Sequence, residues 1–176
     1  MRCIGIDPGL GRMGVASVLQ DGRAFRLISC RCIETPPGMP LPSRLKIIFE
    51  ELEELIEADS PDFMSVEKLF FGRNITTAES VWQARGVALL QAARHALPVF
   101  EPKPSQIKLA VCGYGTAPKE QVQRMSQRLL GLSFLPKPDD AADAIGAAIT
   151  GFSLFAEERR ISGARSNHAS VSDGQG

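Results

Sequence analysis

The stretch Ile4-Gly5-Ile6-Asp7-Pro8-Gly9-Leu10-Gly11-Arg12-Met13-Gly14-Val15-Ala16-Ser17-Val18 decides the fold. An apolar run reaches a carboxylate at Asp7, a glycine-rich turn follows, and a second apolar run of strand character starts at Met13. The pattern predicts two strands joined by a turn. Asp7 then stands where the first strand meets the turn, at the edge of a central sheet. Flanked by Ile6 and Pro8, it does not read as a surface residue.

Outward from that stretch, Asp21-Gly22 is a two-residue hairpin signal, followed by a third strand over 24–35. Prolines from Pro36 to Pro42 mark a loop. Leu45, Ile48, Phe49, Leu52, Leu55 and Ile56 then recur at helical spacing, with Glu50, Glu51, Glu53, Glu54 and Glu57 on the solvated face. Ser60-Pro61-Asp62 stops this helix, and Phe63 to Val66 reads as a fourth strand that ends at Glu67. Thr76 with Glu79 is a capping box for a long helix to about Ala96. Gly86 inside that helix costs about 1 kcal/mol against alanine; close packing on the sheet or on a second subunit would explain it. A short strand at 98–101, a helix at 104–111 and an amphipathic helix from Lys119 to Leu132 follow. In the amphipathic helix Val122, Met125, Leu129 and Leu132 face inward. Asp139-Asp140 opens a last helix to about Phe155, and 157–176, rich in serine, glycine and charge, reads as a disordered tail. The chain is therefore one α/β domain over 1–156. It has a five-stranded mixed sheet, three antiparallel strands plus two parallel ones, flanked by helices.

Bulk charge argues for no partner, because 20 Lys and Arg balance 20 Asp and Glu. Cys30-Arg31-Cys32 is too tight for zinc spacing, and the four cysteines read as small hydrophobes in or near the core. No apolar run reaches membrane-spanning length and no secretory signal precedes Cys3, so a cytoplasmic protein without membrane contact is expected.

The chemistry lies in the acids. Asp7 and Glu67 each end an apolar strand, and Asp140 and Asp143 share a helix face by their spacing. Asp139 with Asp143 also shares a face, so spacing leaves Asp139 and Asp140 as rivals. Gathered carboxylates raise one another's pKa values unless a cation neutralises them, and oxygen ligands suit hard ions such as Mg²⁺ or Mn²⁺. Two such ions 3.5–4 Å apart activate water and stabilise a leaving oxygen.

Two rival readings of the glycine turn fail. Gly9 to Gly14 matches G-x-G-x-x-G, with Glu34 at the distance of a ribose-binding acid. That fingerprint needs a helix after the glycines, and here a strand follows. The strand, Asp-x-Gly turn and second strand also resemble the phosphate hairpin of actin-like and sugar-kinase ATPases. Those proteins need a second comparable half, for which 176 residues leave no room.

The assembled pieces strongly resemble the RuvC Holliday-junction resolvases of the ribonuclease-H-like superfamily. The pieces are Gly5-Ile6-Asp7-Pro8-Gly9, Leu41-Pro42-Ser43-Arg44-Leu45, Val66-Glu67-Lys68-Leu69-Phe70, Gln83-Ala84-Arg85-Gly86-Val87-Ala88, Gln106-Ile107-Lys108, Lys119-Glu120-Gln121-Val122 and Asp140-Ala141-Ala142-Asp143-Ala144. The resemblance implies a ribonuclease-H-like fold and a metal-dependent endonuclease that resolves four-way DNA junctions by symmetric paired nicks. It also implies Mg²⁺ or Mn²⁺, two ions per site, a homodimer, and work beside the RuvA and RuvB branch-migration proteins. It makes Asp7, Glu67, Asp140 and Asp143 the catalytic and metal-holding acids, and favours Asp140 over Asp139. Phe70 matches an aromatic that stacks at the opened crossover. Lys108 and Lys119 match basic residues near the scissile phosphate, and Arg12, Arg73, Asn74 and Lys103 are further candidates for contact with backbone phosphates. Lys68 departs from the family's usual polar residue, and Asp140 stands where some relatives carry histidine. A cousin group that trims ribosomal RNA precursors shares the strand-Asp-Gly opening but lacks the Phe70 loop pattern.

Overall fold

The computed structural model describes the backbone of residues 1–69, 75–134 and 137–172, and their side chains except those of 75–77 and 164–172. Phe70, Phe71, Arg73, Asn74 and the side chain of Thr76 lie outside the described residues. The strands are β1 (Arg2–Asp7), β2 (Arg12–Asp21), β3 (Ala24–Glu34), β4 (Phe63–Val66) and β5 (Val99–Phe100). The helices are α1 (Leu41–Asp59), α2 (Ile75–Arg94), α3 (Pro104–Cys112), α4 (Lys119–Leu129) and α5 (Asp139–Ser172). One sheet runs in the order β3-β2-β1-β4-β5. The first three strands pair antiparallel, while β4 and β5 add in parallel on the other side of β1. The expected mixed sheet is the observed one.

Alternation along β1 builds the two cores. Ile4 and Ile6 face a cluster with Ile48, Leu52, Met64, Ala84 and Ala88 under α1 and α2. Cys3 faces the opposite cluster, with Phe63, Ile107, Val122, Ile145 and Phe152 under α3, α4 and α5. Each fully buried aliphatic side chain contributes roughly 1.5–3 kcal/mol, so a sheet covered on both faces is the stable arrangement.

Helix α5 lies unusually close to the sheet, and two glycines permit it. A Cβ on Gly5 would sit 2.2 Å from the Ala144 carbonyl oxygen, and one on Gly14 would sit 1.9 Å from that of Asp140. Both are backbone obstacles that a small rotamer change does not clear. Further along, Phe152 and Phe155 pack on Phe63 at centroid distances of 5.2 and 4.9 Å.

Several boundaries differ from expectation, each for a local reason. Helix α1 starts at Leu41, inside the expected proline loop, because a proline in the first turn forfeits no helical hydrogen bond. It ends at Ser60, in left-handed conformation, whose N–H donates to Ile56 O. The hairpin loop is Gly22-Arg23, one residue later than read, with Gly22 at φ 59°. Helix α4 stops at Leu129, which is exposed while Leu130 is buried. A Cβ at Gly86 would meet nothing within 4 Å, so packing on the sheet does not account for that glycine. The largest correction concerns the tail: α5 continues to Ser172 instead of ending near Phe155. Residues 157–172 are helical because Phe155 anchors the preceding turn, Arg159 lies over its ring at 5.8 Å, and the Glu157 to Arg160 run consists of good helix formers. Among the described residues no helix is long and apolar enough to cross a membrane.

Replacing Gly5 with Ala is expected to lower stability by about 1–3 kcal/mol or more through overpacking. Gly38→Ala, where a Cβ meets nothing within 4 Å, should be near neutral. Denaturant unfolding of the two variants checks this, and equal stability would contradict the close approach of α5.

Candidate active site

The pairing of β1 fixes two of the acids. Its parallel register with β4 matches Ile6 to Val66, so Asp7 and Glu67 leave adjacent strands side by side. The Glu67 N–H donates to Ile6 O at 3.0 Å and extends the pairing to the site. The carboxyl ends of parallel strands are where open α/β sheets bind ligands. On the other edge of β1, Asp7 pairs with Gly14, the glycine on which the Asp140 backbone rests. The first turn of α5 thereby brings Asp140 and Asp143 to the same end of the sheet.

Electrostatics report the gathering. Asp7 is pushed up to about 8, first by burial and then by Glu67, Asp143 and Asp140, with Lys119 opposing. Glu67 is pushed up to about 7 by burial and by Asp143, while Lys119 and Lys108 pull it down. Burial also raises Asp143, against a hydrogen bond from Lys119. The Lys119 ammonium stands 2.8 Å from Asp143 and 3.7 Å from Asp139, and the bond to Asp143 raises its own pKa. Arg12 Nε stands 3.0 Å from Asp140 Oδ2. The contact is ionic only, because Oδ2 is buried and makes no hydrogen bond.

The structure separates the two rivals at the start of α5. The Asp139 side chain is 65% exposed and meets only the rim at Lys119, whereas that of Asp140 is 23% exposed and couples to Asp7. Lys108 and Lys119 line a cleft of about 280 Å³ together with Glu67, Asp143 and Ile107. Lys103 and Lys68 are exposed at its approaches, at the start of α3 and just beyond Glu67.

The donor set fits a hard divalent cation. It offers carboxylate oxygens, an Asp140 oxygen without a hydrogen bond, and two acids whose ionised forms the nearby lysines compensate only in part. As arranged, no three His, Cys, Asp or Glu among the described residues converge tightly enough to ligate one ion. The α5 acids are turned instead toward Arg12 and Lys119. Ligation therefore requires Asp140 and Asp143 to exchange a side-chain cation for the metal.

Two neighbours had no assigned role in the sequence reading. Cys32, on β3 opposite Gly14, has its thiol pushed up to about 11 by burial and then by Asp140, so it borders the acids. Arg44, from the 41–45 motif, is tied to Thr35 beside the glycine turn. Residue spacing carries no signal for either, because both depend on which strand ends meet.

The comparisons with known proteins agree with this geometry. A family model described as crossover junction endodeoxyribonuclease RuvC matches residues 3–151. The chain is 51% identical over 150 residues to the crossover junction endodeoxyribonuclease RuvC of Brevibacillus brevis, covering 85% of this chain and 90% of that protein. It is 50% identical over 149 residues to that of Chloroflexus aggregans, covering 85% and 91%. Among solved structures it is similar to Thermus thermophilus RuvC in complex with a Holliday junction substrate. The TM-score is 0.81 and the identity 34%, over 85% of this chain and 92% of that one. A yeast mitochondrial Holliday junction resolvase, at 14% identity and TM-score 0.61, shares the fold alone. The acids at the strand ends, the match across residues 3–151 and the high identity lead to one conclusion: this chain belongs to the RuvC family of crossover junction endodeoxyribonucleases.

Proposed function

We propose that this chain resolves four-way DNA junctions by symmetric paired nicks, using two Mg²⁺ or Mn²⁺ ions held by Asp7, Glu67, Asp140 and Asp143. The observation that carries the reading is the mutual perturbation of Asp7, Glu67 and Asp143 at one end of the sheet. Such a cluster is a poor structural device, because like charges held together oppose folding. It is a suitable cation cradle. Bound there, the ions would activate water and stabilise the leaving oxygen of a phosphodiester.

The protein's own groups do the rest. Asp7 and Glu67, on rigid strand ends, fix the position of the charge. Asp140 and Asp143, on the first turn of α5, close the ring from the helix side. Lys108 and Lys119, lining the cleft beside Glu67, hold the phosphate at the cut. Arg12, Lys103, Arg73 and Asn74 are further backbone contacts, and Phe70, which follows β4 in the sequence, meets the opened crossover. These contacts position the DNA and leave sequence readout elsewhere.

Two symmetric cuts need two sites, and a twofold homodimer supplies them. The exposed face of α2 supports this: Gly86 is open and Leu90 is 53% exposed. The family further points to work beside RuvA and RuvB, in the cytoplasm. Residues 1–156 carry this chemistry.

Asp7→Asn is expected to cut junction cleavage by more than the 10–100-fold typical of losing a supporting group around a metal, while junction binding persists. Paired nicks in a synthetic four-way junction, and none in a linear duplex of the same sequence, check the substrate class. Equal cleavage by wild type and variant would contradict the assignment. The same substitution should move stability in the opposite direction. An unfolded aspartate titrates near 4 and Asp7 in the fold near 8. Between those values the folded chain binds more protons, so its stability without divalent cation falls as pH rises. In chelator at pH 8, Asp7→Asn should be more stable than wild type by several kcal/mol, and at pH 4 about equal. Thermal unfolding at the two pH values checks this, and parallel pH dependences would contradict it.

A further inference from the structure

A second cleft, of about 650 Å³, lies at the end of β3 and is bounded by Gly11, Arg12, Glu34, Thr35, Pro36 and Arg44. It adjoins the acids, because Arg12, on its wall, stands 3.0 Å from Asp140. Thr35 is buried and fully engaged. Its N–H donates to Gly11 O at 3.0 Å, and its hydroxyl donates to Leu10 O at 2.5 Å. Arg44 donates from Nε to that hydroxyl at 2.8 Å and from one terminal nitrogen to Thr35 O at 3.4 Å. A guanidinium has five N–H groups, so these bonds fix its plane and leave a donor edge over. No carboxylate among the described residues pairs with Arg44, although Glu34 lines the same cleft. A half-buried guanidinium held rigid, unneutralised and beside an open cleft is arranged for an anion with planar oxygen geometry. The walls carry two guanidinium groups against one carboxylate, and Arg12 also faces Asp140 behind the cleft, which leaves Arg44 as the unneutralised one.

We propose that Arg44, with Arg12, binds a backbone phosphate of the cleaved DNA strand next to the one being cut. This rests on the junction-nuclease reading and extends it. The carboxylates then have lysines beside them in one cleft, Lys108 and Lys119, and arginines at the other, Arg12 and Arg44. A strand crossing the acids meets positive charge at both clefts, although the whole chain has no net charge. Thr35 is a positioning residue: it ties the turn after Asp7 to Arg44, so the phosphate grip and the acid share one frame.

The test is the salt dependence of junction binding by the full chain carrying Asp7→Asn, which keeps the DNA intact. Anisotropy of a labelled four-way junction is read across a NaCl series, in that background and with Arg44→Gln, Arg44→Lys or Arg12→Gln added. Each phosphate contact contributes about 0.9 to the slope of log K against log salt. Loss of this one contact, through Arg44→Gln or through Arg12→Gln, should flatten the slope by up to about 0.9, with a deficit that nearly halves for every doubling of salt. Arg44→Lys should keep the slope. A purely structural Arg44 would lower affinity by one factor at every salt concentration, giving parallel lines, and that result, or an unchanged line, overturns the proposal. If Arg44→Gln fails a melting check, Arg12→Gln decides by the same slope. A background chain that does not bind the junction at any salt concentration overturns the reading of function, and this proposal with it. A bound junction with unaltered slopes overturns this proposal alone.

Discussion

The close approach of α5 to the β1–β2 pair is the constraint on which the site depends. Asp7 and Glu67 come from neighbouring strands and would lie together in any sheet with this register. Asp140 and Asp143 are more than 130 residues away from Asp7 in sequence and reach it only because α5 rests on bare backbone at Gly5 and Gly14. A single methyl at either glycine lifts the helix off. Core packing and site geometry are thus one requirement, and the aromatic stack of Phe63, Phe152 and Phe155 seats the middle of the same helix.

That assembly has an electrostatic consequence. Driving acids under a helix removes them from water and sets them against one another, which costs free energy that hydrophobic burial elsewhere must offset. Lys119 and Arg12 relieve part of it through Asp143 and Asp140. Asp7, the most perturbed of the set, has no side-chain cation within ion-pairing distance among the described residues. The residue that the fold buries deepest in the cluster is therefore the one with most to gain from a divalent ion. The surrounding lysines and arginines give a chain of zero net charge a local surface suited to phosphate.

The sheet was legible because its signals are local. Asp21-Gly22 announces the hairpin, and the apolar runs in 2–7 and 13–19 announce buried strands. The glycine turn excluded a dinucleotide fold because a strand, and not a helix, follows Gly14. What escaped were consequences of packing. Spacing could not choose between Asp139 and Asp140, since both share a helix face with Asp143; only the seat of α5 on Gly14 turns Asp140 inward. The tail looked irregular because it is rich in serine, glycine and charge, yet a helix already anchored by Phe155 propagates through it to Ser172. Arg44 stands in a motif that carries the family resemblance, but its role was not legible there, because it depends on Thr35, which the end of β3 delivers.

The most direct test of the account is anomalous diffraction from a crystal of the chain equilibrated with Mn²⁺. The account predicts density within about 2–2.5 Å of a carboxylate oxygen of Asp7 and of at least one aspartate on α5, with the Arg12 or Lys119 side chain displaced from that aspartate. Manganese held by the α5 acids alone, or absent from the end of β1 at saturating concentration, would contradict it.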